Sequence, residues 1–112
     1  MDKTEKIKAI ADHYGYDTQS RQCIEEMGEL TQAINKFWRK QLGCGNRELP
    51  NDPEEIPMFT KEYDNLIEEM ADVQVMLLQM AYLLKTDIQS MADIKLNRQL
   101  ERIKREWLNL NN

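Results

Sequence analysis

Leu66-Ile67-Glu68-Glu69-Met70-Ala71-Asp72-Val73-Gln74-Val75-Met76-Leu77-Leu78-Gln79-Met80-Ala81 is the stretch that decides how this chain folds. Its apolar residues, continued by Leu83 and Leu84, spread around most of a helix predicted over about Glu62 to Leu84. A helix that is apolar on most sides belongs in the middle of a bundle. Yet the same stretch carries Glu69 and Asp72, three residues apart and so one turn apart on one side. That side is the one Met76 and Leu83 continue, so the two acids face inward or nearly so.

Upstream, a long helix is predicted from an N-cap at Asp17 or Thr18 to Trp38-Arg39-Lys40, where positive charge suits the C-terminal end of the dipole. Ile24, Met27, Leu30, Ile34, Phe37 and Trp38 form its apolar stripe. A short helix over about Thr4 to Tyr14 precedes it and is closed by Gly15. Between the two long helices, Leu42 to Thr60 holds all three prolines together with Gly43 and Gly45, which reads as a loop. A connection of that length inside a small domain hints at a lid or a subunit contact. Thr86, with Gln89 three residues on, reads as a capping box for a last helix over about Asp87 to Leu108. Along it, Leu96, Leu100, Ile103, Trp107 and Leu110 alternate four and three apart, the seam of a helix packed on another helix or on a second subunit. The expectation is an all-α four-helix bundle in one domain, residues 1–112, too small to bury much core alone and completed by oligomerisation.

The 112 residues carry 15 Lys and Arg against 20 Asp and Glu, a net charge of -5. Residues 48–84 hold 1 positive and 9 negative charges, so the acidity sits in the middle segment. Nucleic-acid polymers and anionic membranes are disfavoured as partners. No apolar run has the length of a membrane span and Met1-Asp2-Lys3-Thr4-Glu5-Lys6 resembles no signal peptide, so a cytoplasmic protein is expected. Cys23 and Cys44 lack metal-site spacing and read as free thiols.

Two short motifs echo each other: Glu25-Glu26-Met27-Gly28-Glu29 and Glu68-Glu69-Met70-Ala71-Asp72. Glu26 and Glu29 form one pair on a helical face, Glu69 and Asp72 the other. Four carboxylates converging between packed helices cost several kcal/mol each unless a cation neutralises them. An all-oxygen ligand set suits Mg²⁺ or Mn²⁺, and the lone His13 on the short first helix argues against a histidine-ligated di-iron site. Glu25 and Glu68 read as solvated. Lys95, Arg98 and Arg102 form one basic row that suits phosphate, or simple solubilisation. Trp38, Phe37 and Tyr14 could stack a base, although core packing is the commoner use of such rings, and Gln19 and Gln22, one turn ahead of Glu26, could read a base edge.

Glu25-Glu26-x-x-Glu29, then Glu69-x-x-Asp72 on the next long helix, then Lys95-Leu96-x-Arg98, resembles the all-α nucleoside triphosphate pyrophosphohydrolases of the MazG-like superfamily over about residues 16–105. The resemblance implies a four-helix fold that assembles as a homodimer or homotetramer. It implies hydrolysis of an NTP or dNTP at the α-phosphorus to NMP and pyrophosphate. By matching positions, Glu26, Glu29, Glu69 and Asp72 would hold Mg²⁺, and Glu25 would ligate a second ion or orient the attacking water. Lys95 and Arg98 match the phosphate-contacting positions; Gln22 and Trp38 complete the substrate-binding candidates. Asp93 stands where relatives often place an Asn. The competing readings are a non-enzymatic helical interaction module whose seam docks a partner, and a carboxylate metal store or redox protein.

Overall fold

The computed structural model describes residues 1–43, 48–56, 58 and 60–111, with the side chains of residues 42 and 43 left aside. Cys44, the second thiol expected from the sequence, lies outside them. Among the described residues three α-helices follow in order, α1 (Lys3–Gly43), α2 (Lys61–Leu83) and α3 (Ile88–Leu110), with a 3₁₀ turn at Pro53–Glu55 in the loop. No strand occurs among the described residues.

The short first helix and the long second one expected from the sequence share the span of α1, broken at Gly15, whose φ of 83° and ψ of 168° are not helical. This backbone region is reserved for glycine, because any Cβ there crowds the chain. α1 therefore has two arms, residues 3–14 and 16–43. Asp2 opens the first by accepting the Glu5 N–H at 2.8 Å. Tyr82 of α2 ties that arm down, its hydroxyl donating to the Asp12 carboxylate at 2.9 and 3.0 Å.

α1 and α2 run antiparallel. Three cross-helix contacts set the alignment: Asp12 with Tyr82, Gln19 with Gln79, and Phe37 with Tyr63, whose rings lie 6.0 Å apart edge to face. Gln19 Nε2 donates to Gln79 Oε1 at 2.6 Å, and both amides are buried. The interior between the helices is built from Ala11, Cys23, Ala33, Phe37, Val73, Met76 and Ala81. The stripe expected on the long helix is thus shifted. Phe37 is buried, but Ile24, Met27, Ile34 and Trp38 are 42–51% exposed, forming a second apolar side that α2 does not cover. Ala33 and Cys23 face α2 instead, since small side chains let the helices approach.

Thr60 caps α2, its hydroxyl accepting the Tyr63 N–H at 3.2 Å. At the other end, Lys85 takes a left-handed φ of 58°, while the Thr86 N–H donates to Ala81 O and the Lys85 N–H to Tyr82 O. This pattern closes a helix and is normally built on glycine. The capping box expected at Thr86 is corrected by one residue: Asp87 is the N-cap of α3, accepting from the Gln89 N–H at 3.0 Å and from the Ser90 hydroxyl at 2.8 Å. Those bonds hold the Asp87 carboxyl below the usual carboxylate range, Ser90 contributing most.

α3 departs from the other two helices. None of its residues is buried, and Leu96, Leu100, Ile103, Trp107 and Leu110 are 55–85% exposed. The radius of gyration of 18.2 Å exceeds the roughly 13 Å of a compact chain this long. No helix of the described residues is long and apolar enough to cross a membrane.

Two glycines separate strain from entropy. An added Cβ meets nothing within 4 Å at either Gly15 or Gly28, so only the backbone differs. Gly15→Ala should lower the unfolding free energy by about 1–3 kcal/mol, while Gly28→Ala, at a helical position, should raise it by about 0.5–1 kcal/mol. Urea denaturation of the two variants checks both signs.

Candidate metal centre

Along α1 the residues facing α2 recur at helical spacing, and Glu26 falls among them between Cys23 and Leu30. Glu29 lies one turn further on, at the flank of the same face. On α2, Glu69 precedes buried Val73 by four residues and so also points toward α1. The antiparallel alignment brings all three to one point. Glu26, Glu29 and Glu69 each offer a carboxylate oxygen, and these oxygens lie within 4.8 Å of one another.

Two features make this cluster unlike a solvated acidic surface. Oε2 of Glu26 and Oε2 of Glu69 are buried and have no hydrogen-bond partner. Such orphaned acceptors carry a desolvation penalty of about 1–3 kcal/mol, and more when charged. The Glu29 carboxyl is also pushed above its ordinary range, first by the charge of Glu26, then by that of Glu69. Among the described residues no cation is seen to offset this, and a divalent ion with oxygen preference fits the donor set. The second oxygen of Glu26 is held: Gln22 Nε2 donates to Oε1 at 2.9 Å, leaving Oε2 turned inward. Gln22, a substrate-binding candidate from its sequence position, thus touches a carboxylate of the cluster.

Burial pushes the Cys23 thiol up, with a second contribution from Glu26, one turn away. A protonated buried thiol is a poor metal ligand, so the centre remains an oxygen one.

The remaining candidates stand apart. Asp72 is exposed one turn beyond Glu69 and outside the cluster, and Glu25 is exposed beside Glu26. Trp38 is 48% exposed, and at nine residues from Glu29 it lies well around the helix from the acids. Lys95 and Arg98 sit on α3; among the described residues Arg98 lines a groove with Ile94, Asn97, Glu101 and Arg105, all of α3. Sequence reasoning passed over Lys36, Lys61 and Asn65, which line a cavity of about 630 Å³ with Glu62, Asp64 and Glu68. The signal was present in the spacing: Lys36 follows Glu29 by seven residues and Asn65 precedes Glu69 by four, so both continue the acidic faces.

Among curated proteins and solved structures, none matches the chain significantly. A family does: residues 15–105 match the MazG nucleotide pyrophosphohydrolase domain, a span that takes in the longer arm of α1 and α2 entire and most of α3. On that match, and with the helical architecture and acidic cluster described above, the chain belongs to the MazG nucleotide pyrophosphohydrolase family.

Proposed function

We propose that this chain, acting as one domain over residues 1–112, is a Mg²⁺- or Mn²⁺-dependent hydrolase. It cleaves an NTP or dNTP at the α-phosphorus to NMP and pyrophosphate. The observation that carries this reading is the pair of buried, unpartnered oxygens on Glu26 and Glu69 beside Glu29. Family membership supplies the reaction class. Glu26, Glu29 and Glu69 would hold the cation, and Asp72, exposed one turn beyond Glu69, would be a further ligand. A divalent ion held there would supply Lewis-acid polarisation of the α-phosphoryl group and offset its charge. Gln22 fixes the orientation of Glu26. Glu25, exposed next to the cluster, orients the water that attacks the α-phosphorus, and the bond to the bridging oxygen breaks as pyrophosphate leaves.

Lys95 and Arg98 serve the phosphate tail from α3 of a second copy. Nine large apolar side chains of α3 are more than 40% exposed, which a lone helix in water does not sustain. Basic α3 and the acidic middle segment also have complementary charge, +2 over residues 85–112 against -8 over residues 48–84. The protein is on this reading a homodimer or homotetramer, and the exposed seam that would suit a non-enzymatic docking module belongs to self-assembly.

With Mg²⁺, the purified protein should release pyrophosphate, not orthophosphate, from at least one nucleoside triphosphate. Glu69→Ala should lower the rate at least 100-fold while circular dichroism stays helical; retained activity in that variant removes the site assignment. In the chelated protein, Mg²⁺ or Mn²⁺ at 100 times its Kd should stabilise by about 2.7 kcal/mol through mass action. Glu29→Gln should raise the metal-free melting temperature, by relieving repulsion, and shrink that gain; an unchanged thermal shift counts against the centre. In sedimentation velocity the wild type should run as a dimer or tetramer, and Ile103→Glu should shift it to monomer with a loss of activity.

A further inference from the structure

The two carboxylate oxygens of Glu26 are in different situations. Oε1 accepts the Gln22 amide at 2.9 Å in an exposed contact, whereas Oε2 is buried and has no hydrogen-bond partner. The helix dictates this division. Gln22 lies four residues before Glu26, and because helical side chains tilt toward the N-terminus, the glutamate leans back onto the glutamine. Gln22 is itself exposed, so the contact uses its length and its donor more than its packing. Glu69 likewise keeps a buried, unpartnered Oε2, and one oxygen each from Glu26, Glu29 and Glu69 lie within 4.8 Å of one another.

Resting on the metal-dependent hydrolase reading above, we propose that Gln22 is a positioning residue that keeps Glu26 a one-oxygen ligand and so biases the centre toward Mg²⁺ or Mn²⁺ and against Ca²⁺. A carboxylate can meet an ion through one oxygen or through both. Chelation by both oxygens of Glu26 would require Oε1 to swing in beside Oε2, away from the Gln22 amide. The bond given up is a charge-assisted one, stronger than a hydrogen bond between neutral groups. Mg²⁺ and Ca²⁺ would not feel this restraint alike. Mg²⁺ demands octahedral geometry at about 2.0–2.1 Å and keeps several waters, so single carboxylate oxygens suit it. Ca²⁺ takes about 6–8 oxygens at about 2.3–2.6 Å and gains from carboxylates that chelate. An amide that holds back one oxygen therefore disfavours the larger ion. A neutral donor suits the task, because an ammonium in its place would add positive charge beside the acids and weaken the binding of every cation.

The test is calorimetric titration of the chelated full chain with Mg²⁺ and with Ca²⁺, for wild type, Gln22→Met and Gln22→Lys. Methionine keeps the length and helix propensity of glutamine and removes the donor, while lysine restores a donor. The ratio of Ca²⁺ to Mg²⁺ affinity should rise about tenfold in Gln22→Met, the lower end of what losing an outer partner of a metal ligand costs. Gln22→Lys should bind both ions more weakly at the wild-type ratio. Infrared difference spectra supply a second readout, since the asymmetric and symmetric carboxylate stretches draw together when a carboxylate chelates through both oxygens. They should do so when Ca²⁺ binds Gln22→Met and not when Mg²⁺ binds wild type. A ratio unchanged in Gln22→Met, or raised equally in Gln22→Lys, overturns the role of Gln22 and leaves the centre standing. A wild type that binds neither ion overturns the centre, and with it the hydrolase reading and this inference.

Discussion

Three carboxylates share the inner face between α1 and α2, and their mutual repulsion is the constraint around which the rest of the molecule is arranged. Glu26 and Glu69 each keep one oxygen buried with no donor, and Glu29 feels both charges. Keeping the Glu26 and Glu69 oxygens from water costs about 1–3 kcal/mol apiece, and more when charged, which is a sizeable part of the stability of a chain this small. Other features offset the cost. Ala33 and Cys23 allow close packing either side of the cluster, Phe37 and Tyr63 close one end, and Gln22 satisfies the outer oxygen of Glu26. A packed apolar seam in place of the acids would be more stable, so their presence is a statement about chemistry and not about folding.

The consequence for the wider architecture is a thin interior. With part of the α1–α2 interface given to charge, few large side chains are buried, and much apolar surface stays on the outside: Ile24, Met27, Ile34 and Trp38 on α1, Ile67 and Met70 on α2, and the length of α3. Two helices with a polar centre make a marginal unit by themselves. The extended shape follows from α3 leaving that unit at the tight turn around Lys85.

Much of this was legible in the sequence because it depends on local rules. The break at Gly15, the end of α2 near Leu84 and the convergence of Glu26 and Glu29 follow from helix periodicity and glycine geometry. The pairing with Glu69 was legible because a carboxylate on an otherwise apolar helix contradicts its surroundings. What stayed hidden depends on how two helices slide and turn relative to each other. Periodicity marks Ile24, Ile34 and Trp38 as apolar without saying which neighbour covers them, and it marks the α3 seam without saying that its residues stay exposed. Thr86 and Asp87 are both good N-caps, so spacing could not choose between them. The cavity is a property of alignment: Lys36 and Lys61 are 25 residues apart and only the antiparallel pairing makes them neighbours.

The buried Gln19–Gln79 pair is where that alignment is made unique. Leucine and alanine surfaces are nearly indifferent to a slip of one residue, but a slip here would separate two amides that have no water to fall back on. The same slip would rotate Glu69 by about 100° away from Glu26. A neutral hydrogen bond seven to ten residues from the acids therefore works as the key that fits one helix to the other, and geometric accuracy at the charged centre is inherited from a contact that carries no charge at all.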